Sequence, residues 1–367
     1  MSVNLDFIIH NWRCFSKLDV SIPSSPFVIS DENGSGKTSL LAAFYSLHTG
    51  QPWPQTRLIE SLKNSTDYYG VITHFPDWSL SGQINPSGRL TNKYQQPKSH
   101  PFTSKKDLLF PQIFTYLPND NIWFNMSRSS KLATLDSLLS LCYYDDYTSA
   151  LKKLNRLIKA KSELIRYTRD HSVSPDMTMV NYLSDQILEY SNILWRYRSE
   201  FFDIIRSSLP EFQKWIQNSI ATIRVKHKIT DQNGLQNENN LDVPLNSLNW
   251  EKLWVKEISA GKPLFGAHRD DFVLQMNHLQ VQNMFSRGEM RLLVLFIKSI
   301  AQQIYLQKSP NRQTFWLLDD VFNELDSKRE TIFFHNVLNS SKFYIITSTK
   351  KVEIPIPQFS INDISHI

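Results

Sequence analysis

Residues 3 to 9 alternate apolar and polar positions and then turn apolar, and two more short apolar runs, Leu18 to Ile22 and Phe27 to Ser30, are separated by Pro23 and Pro26. Period-two alternation interrupted by prolines predicts strands for this opening segment. From Lys37 to about Leu47 the spacing changes: Leu40, Leu41, Phe44 and Tyr45 recur at helical intervals, and Gly50 followed by Pro52 supplies a stop. Residues 51 to 118 mix prolines, glycines and short apolar stretches such as Tyr69 to Thr73, which predicts further strands and loops. Beyond Pro118 the pattern is helical. Leu151, Leu154, Ile158 and Ile165 form one stripe with Lys152, Arg156, Lys159 and Arg166 roughly opposite, and Leu183 to Leu209 carries Ile187, Tyr190, Leu194, Phe201 and Ile205 at similar spacing. Ile223, Val225, His227 and Ile229 then alternate, and Thr230 to Asn249, rich in asparagine, reads as a linker. The last hundred or so residues predict a strand over Phe272 to Met276, a helix over Arg291 to Leu306, a strand over Phe315 to Leu318, a helix over Ser327 to Asn339 and a strand over Phe343 to Thr347. Three segments result: 1–118, a helical lobe over 119–215, and 216–367.

Composition narrows the class. A chain of 367 residues with 41% hydrophobic and 20% charged residues excludes a disordered tail, a collagen-like fibre and a coiled-coil rod. No run approaches the roughly 18 apolar residues of a membrane span, and Met1 to His10 carry Asp6 without a basic start and apolar stretch, so neither membrane insertion nor export is expected. Two cysteines, Cys14 and Cys142, cannot build a disulfide framework or a zinc site, which points to a reducing, cytoplasmic setting. The formal charge of +5 gives a mild bias toward polyanions. Glycine is scarce, ten residues in all, where usage of about 7% is ordinary. Each remaining glycine is therefore a stronger pointer to a backbone position other residues cannot take.

Three strings carry chemistry. Asp31-Glu32-Asn33-Gly34-Ser35-Gly36-Lys37-Thr38 lies between an apolar strand and a helix. In that context small residues let backbone N–H groups converge on phosphate oxygens at a helix N-terminus, Lys37 lies against the β- and γ-phosphates, and the Thr38 hydroxyl ligates Mg²⁺. Asp31 replaces the first glycine of that pattern, and a carboxylate there is expected to strain the turn or repel the nucleotide. The bland alternative is an ordinary turn with a helix cap. Phe315-Trp316-Leu317-Leu318-Asp319-Asp320 is an apolar strand ending in two carboxylates, of which the first is a candidate Mg²⁺ ligand and the second a candidate to position or deprotonate the attacking water. Its bland alternative is a solvated Asp-Asp turn. Between them, Phe285 to Arg291 places Ser286 and Gly288 ahead of an apolar helix, which reads either as a second anion site or as a helix cap.

The order of these strings resembles the ABC-type ATPase heads of SMC proteins and their relatives, and in detail the RecF family. Asn11-Trp12-Arg13 is similar to that family's Asn-Phe-Arg, Tyr116 to Asp120 to its Thr-Pro-Glu-Asp stretch, and Gly266 to Asp271 to its Gly-Pro-His-Arg-Asp-Asp. Leu317 to Val321 with Glu324-Leu325-Asp326 resembles its Walker B strand and D-loop. The likeness runs in order from about residue 5 to residue 349. Arg287 and Glu289 depart from glutamines in the family's Ser-Gln-Gly-Gln, Ala267 departs from proline, and Thr347-Ser348-Thr349 stands where many ABC heads carry a switch histidine.

The resemblance implies an α/β fold: a P-loop ABC/SMC-type ATPase head assembled from the N- and C-terminal segments, with an inserted, mainly helical lobe. It implies ATP and Mg²⁺ as cofactors. Nucleotide would be bound by Arg13, Asn33, Gly34, Ser35, Gly36, Lys37, Thr38 and Ser39 of one copy and by Ser286 and Gly288 of a second, the metal by Thr38 and Asp319, and catalysis would rest on Lys37, Asp319 and Asp320. It further implies an ATP-dependent homodimer that acts on single-stranded DNA or single-strand/double-strand junctions in recombinational repair, replication and the SOS response, with RecO- and RecR-like partners and slow, DNA-dependent hydrolysis. Two other readings stand beside it: a non-hydrolysing DNA-binding scaffold and an ATPase module of a defence system. The basic face of Lys152, Arg156, Lys159 and Arg166 is a candidate phosphate contact, or simply a solvated helix face. His268 to Asp271 is either a phosphate-facing string or a turn braced by an Arg-Asp pair.

Overall fold

The computed structural model describes residues 5–22, 26–54, 56, 60, 62–63, 69–74, 79–84, 90–95, 112–216, 223–230, 236–238, 249–276, 279–310, 312, 314–323, 325–338 and 343–364. In chain order these form β1 (Leu5–Trp12), β2 (Phe15–Ile22), β3 (Phe27–Ser30), α1 (Lys37–Thr49), β4 (Tyr69–His74), β5 (Ser79–Ile84), β6 (Leu90–Gln95) and β7 (Gln112–Tyr116). Then follow α2 (Arg128–Cys142), α3 (Tyr144–His171), α4 (Met177–Ile216), β8 (Ile223–Thr230), β9 (Gln236–Glu238), α5 (Trp250–Ala260), β10 (Asp271–Met276) and β11 (Leu279–Gln280). The chain closes with α6 (Arg287–Lys308), β12 (Thr314–Leu318), α7 (Ser327–Phe333), β13 (Phe343–Ser348), β14 (Gln358–Phe359) and α8 (Ile361–Ile364). Glu324 and most of the linker expected over Thr230 to Asn249 lie outside the described residues. Two compact units divide the chain: residues 1–120 with 306–367, and residues 121–305.

The first unit has the α/β character expected of the two end segments, but residues 216–305, expected with them, fall in the second unit. One five-stranded sheet runs β14-β3-β13-β12-β7, with β3, β7, β12, β13 and β14 all parallel to their neighbours. A second, antiparallel sheet runs β2-β1-β4-β5-β6. Strands buried on both faces need continuous apolar sequence. Phe27, Val28 and Ile29 of β3 and Trp316, Leu317 and Leu318 of β12 meet that requirement, all at 0 or 1% exposure. Helix α1 buries Leu40, Leu41, Ala42, Ala43, Phe44 and Leu47 into the same core as Phe7, Ile9, Phe315 and Ile345. Each fully buried Leu or Phe of this kind contributes about 1.5–3 kcal/mol. Gly50, at φ 72°, ends α1 as the Gly50–Pro52 stop predicts.

The second unit contains the helical lobe together with a sheet in the order β11-β10-β8-β9. Its helices outrun their sequence patterns. The apolar stripe places α4 over residues 183–209, yet it runs through Pro210 to Ile216. Tertiary packing overrides the local breaker there: Phe212 and Trp215 both pack on Phe296, with ring centroids 5.1 and 5.0 Å apart. Helix α6 begins four residues ahead of the expected Arg291. Ser286 and Glu289 form a reciprocal cap, in which the Ser286 N–H and hydroxyl each donate to Glu289 Oε2 at 2.8 Å and the Glu289 N–H donates back to Ser286 Oγ at 3.3 Å. In the first unit, by contrast, the helix expected over Ser327 to Asn339 is α-helical only to Phe333 and continues as a π-turn over Phe334–Leu338.

The His268 to Asp271 string is structural at its two carboxylates. Arg198, fully buried on α4, donates to Asp270 at 2.6 Å, to Asp136 at 2.6 Å and to the Ala267 carbonyl at 2.7 Å. Trp195 Nε1 also donates to Asp270, at 2.9 Å, and Lys131 pairs with Asp271 at 2.7 Å. Of the two readings of this string, the braced turn is the one these contacts match, and Arg198 reaches it from a distant helix. Removing one partner of a buried pair strands the other charge. Arg198→Ala should therefore lower the unfolding free energy by about 3–5 kcal/mol, while Lys159→Ala, at the exposed 4.0 Å pair with Glu163, should change it by less than about 1 kcal/mol. Chemical denaturation of both variants checks the contrast.

Candidate nucleotide-binding site

The loop after β3 is bent by two glycines in left-handed conformations, Gly34 at φ 84° and Gly36 at φ 101°. Gly36 is doubly constrained, because a Cβ there would come within 2.5 Å of the Phe15 ring and 3.0 Å of Cys14 Sγ. The helix starts at once, with the Leu40 N–H donating to the Gly36 carbonyl at 2.9 Å. Lys37, 6% exposed, turns its ammonium back across the loop and donates to the carbonyls of Asp31 at 2.7 Å and Glu32 at 2.6 Å. Ser35 Oγ is buried with no hydrogen-bond partner among the described residues. The bend thus holds an ammonium anchored on loop carbonyls and an unsatisfied hydroxyl, donors of the kind phosphate oxygens accept. Asn33 is exposed at the tip.

Asp31 does not aim its charge into this cradle. Its carboxylate accepts from the Glu32 N–H at 2.8 Å and from the Ile361 N–H at 3.1 Å, tying the loop to α8. The repulsion of nucleotide expected from the missing first glycine is thus reduced by orientation: the side chain faces the C-terminal segment.

Thr38, one residue into α1, donates its hydroxyl to Asp319 at 2.9 Å from Oδ1 and 3.0 Å from Oδ2. Asp319 caps strand β12 at 3% exposure, and its N–H extends the ladder to the Tyr116 carbonyl at 2.9 Å. Burial pushes the Asp319 carboxyl above the ordinary carboxylate range. The Thr347 and Thr38 hydroxyls oppose that rise by donating to the charged form, the adjacent Asp320 adds to it, and Arg13 offsets it. Asp320 itself sits at φ 51°, a left-handed position that a non-glycine residue takes only when its surroundings hold it.

Arg13 lies in the β1–β2 turn at φ 46°, just after Asn11 near the end of β1 at φ 51°. Desolvation lowers the Arg13 pKa and the Asp319 charge raises it, which places the guanidinium in the field of that carboxylate. The neighbouring Trp12 fixes the turn to α1, with Nε1 donating to the Ser39 carbonyl at 2.7 Å. Ser39 thus contributes a backbone carbonyl to this contact between turn and helix. The structure brings Lys37, Thr38 and Asp319 together with Arg13 nearby, while Ser286 and Gly288 belong to the second unit, where Ser286 is exposed and Gly288 buried at the start of α6. Three contributors are not among the candidate site residues: Thr347, whose hydroxyl donates to Asp319 at 2.7 Å; Ile361, whose amide holds Asp31; and Trp12 as the clamp on α1, Thr347 and Trp12 being noted only as members of longer strings.

Among the described residues no group of three or more His, Cys, Asp or Glu could hold a metal ion. The donor set at Thr38 and Asp319, one hydroxyl and one carboxylate, fits Mg²⁺ all the same. That ion takes hard oxygen ligands, usually one or two from protein side chains, and completes its shell with water and phosphate.

No protein-family model matches the chain. It is 22% identical over 92% of its length to the DNA replication and repair protein RecF of Oceanobacillus iheyensis, covering 91% of that protein. It is 24% identical over 95% of its length to the RecF of Actinobacillus pleuropneumoniae, covering 92% of it. Among solved structures, the recombination mediator protein RecF with ATP, of the RecFOR pathway, superposes with a TM-score of 0.74 at 19% identity, over 96% of this chain and 94% of that one.

The raised carboxyl of Asp319 makes a signed prediction. A folded state that binds a proton more tightly than the unfolded chain loses stability as pH rises through the interval between the two pKa values, so at neutral pH the ionised Asp319 costs stability. Asp319→Asn should raise the melting temperature of the nucleotide-free protein and abolish any further rise on adding Mg·ATP. Thermal melts with and without Mg·ATP read both effects.

Proposed function

We propose that this chain, a divergent member of the RecF family, is a DNA replication and repair protein that binds Mg·ATP at the Lys37 loop and uses it to pair with a second copy of itself on DNA. The contact that carries this reading is Thr38 Oγ1 to Asp319 at 2.9 Å. It joins a phosphate-binding loop to an acid-tipped strand, as nucleotide-dependent ATPases require.

In this reading Lys37, Ser35 and the loop N–H groups would bind the triphosphate, and Thr38 and Asp319 would hold Mg²⁺, which would supply charge neutralisation at the phosphates. Arg13 adds positive charge beside Asp319. Asp320, next in the chain after Asp319, would be the group to orient a water toward the γ-phosphate. The partner's Ser286–Gly288 segment would close each site, with the N-terminus of α6 directed at phosphate. Support for DNA as cargo comes from the relatives' names and from α3, where Lys152, Arg156, Lys159 and Arg166 are all exposed. RecO- and RecR-like partners follow from the same family reading. Among the described residues no helix is long and apolar enough to cross a membrane.

The Ser286 cap modulates this picture. Its hydroxyl is already bonded to the Glu289 carboxylate, so a phosphate arriving there meets a like charge and a competed donor. Pairing should consequently be weaker than with a neutral residue at position 289.

Sedimentation velocity with and without Mg·ATP tests the reading. Wild type should shift to a dimer with nucleotide, Lys37→Ala should not shift, and Glu289→Gln should shift at lower ATP concentration. A wild-type protein whose mass ignores nucleotide contradicts the proposal. For DNA, the logarithm of affinity should fall steeply with the logarithm of salt, and Arg156→Ala should flatten that slope by about 0.9 on duplex DNA, the share of a single neutralised phosphate.

A further inference from the structure

The metal side of the candidate site is held by the end of strand β13. Thr347 is fully buried there. Its hydroxyl donates to Asp319 Oδ1 at 2.7 Å and accepts from the Asp320 N–H at 3.0 Å. A single oxygen thus fixes the rotamer of one carboxylate and the backbone of the next residue, the one at φ 51°. The following residues continue the pattern. The Ser348 carbonyl accepts from the Asp31 N–H at 3.2 Å, Thr349 Oγ1 donates to Asn323 Oδ1 at 3.0 Å, and Lys350 Nζ donates to the Leu325 carbonyl at 3.2 Å. Four consecutive residues therefore reach the start of the phosphate loop, both acids and the turn that follows them.

We propose that Thr347 is a positioning residue for the Mg·ATP site, acting through its hydroxyl on Asp319 and Asp320 and touching neither nucleotide nor metal. This rests on the nucleotide reading above. Among the described residues, the Asp319 carboxylate takes hydrogen bonds from Thr38 and Thr347. Thr38 is itself a metal-ligand candidate, so its hydroxyl serves two neighbours once the ion is present. Thr347 has no such second duty and lies on a rigid buried strand, which suits it to hold the carboxylate in one orientation. Valine has nearly the same shape and no hydroxyl, so substitution separates hydrogen bonding from packing.

The test measures binding of a fluorescent ATP analogue to the full-length protein, titrated with MgCl₂ and, separately, in EDTA, for wild type, Thr347→Val, Thr347→Ser and Asp319→Asn, each checked for folding by thermal melt. Thr347→Val should need about 10–100-fold more Mg²⁺ to reach half-maximal enhancement, the range expected when an outer partner of a metal ligand is removed. It should keep wild-type affinity in EDTA, and Thr347→Ser should restore the Mg²⁺ midpoint. If folded Thr347→Val has the wild-type midpoint while Asp319→Asn loses the enhancement, the site stands and the role of Thr347 is overturned. A folded Thr347→Ser that behaves like a severely impaired variant overturns it too, because packing is then the cause. Should wild type bind the analogue without any Mg²⁺ enhancement, the metal half of the nucleotide reading falls and this inference falls with it; should it not bind the analogue at all, the whole reading falls.

Discussion

The contact between the Thr38 hydroxyl and the Asp319 carboxylate joins residues 281 positions apart in the chain. It exists because β3 and β12 both flank β13 in one parallel sheet. Parallel strands deliver the turns at their C-terminal ends to the same edge, so the loop after β3, the acid pair after β12 and the hydroxyls after β13 arrive side by side. The whole site depends on that order. If the strands were paired differently, Lys37 and Asp319 would sit in unrelated surface turns.

Much of this was legible from local pattern. The apolar strand before Asp31, the two glycines, Lys37-Thr38 and the apolar strand ending in Asp319-Asp320 are signals contained in short windows, and the elements appear at those places. Helix α1 ends at the Gly50 stop, for the same reason. Boundaries shifted where tertiary contacts or side-chain caps outweighed propensity. The Ser286–Glu289 cap starts α6 early, and Phe212 and Trp215 carry α4 past Pro210.

What was not legible is long-range. Asp31 is a defect when read against a glycine pattern, and only the Ile361 amide, 330 residues away, shows that its carboxylate has another partner. Arg198 stands in the middle of a helix with nothing beside it in sequence to mark it, yet it organises Asp136, Asp270 and the Ala267 carbonyl. Thr347 is marked in the sequence only by standing where a histidine is common. Its bond to Asp319 needs the sheet order to be known first. Buried polar side chains of this kind are specified by where the fold puts their partners, and no spacing rule reaches that far.

The central claim is that the backbone and Lys37 around Gly34 and Gly36 grip a triphosphate with Mg²⁺. Titration calorimetry of the folded protein with Mg·ATP tests it most directly. The account predicts saturable binding at one site per chain for wild type and none for Lys37→Ala. The absence of binding heat for wild type at several temperatures, with no competition by an ATP analogue, would contradict it.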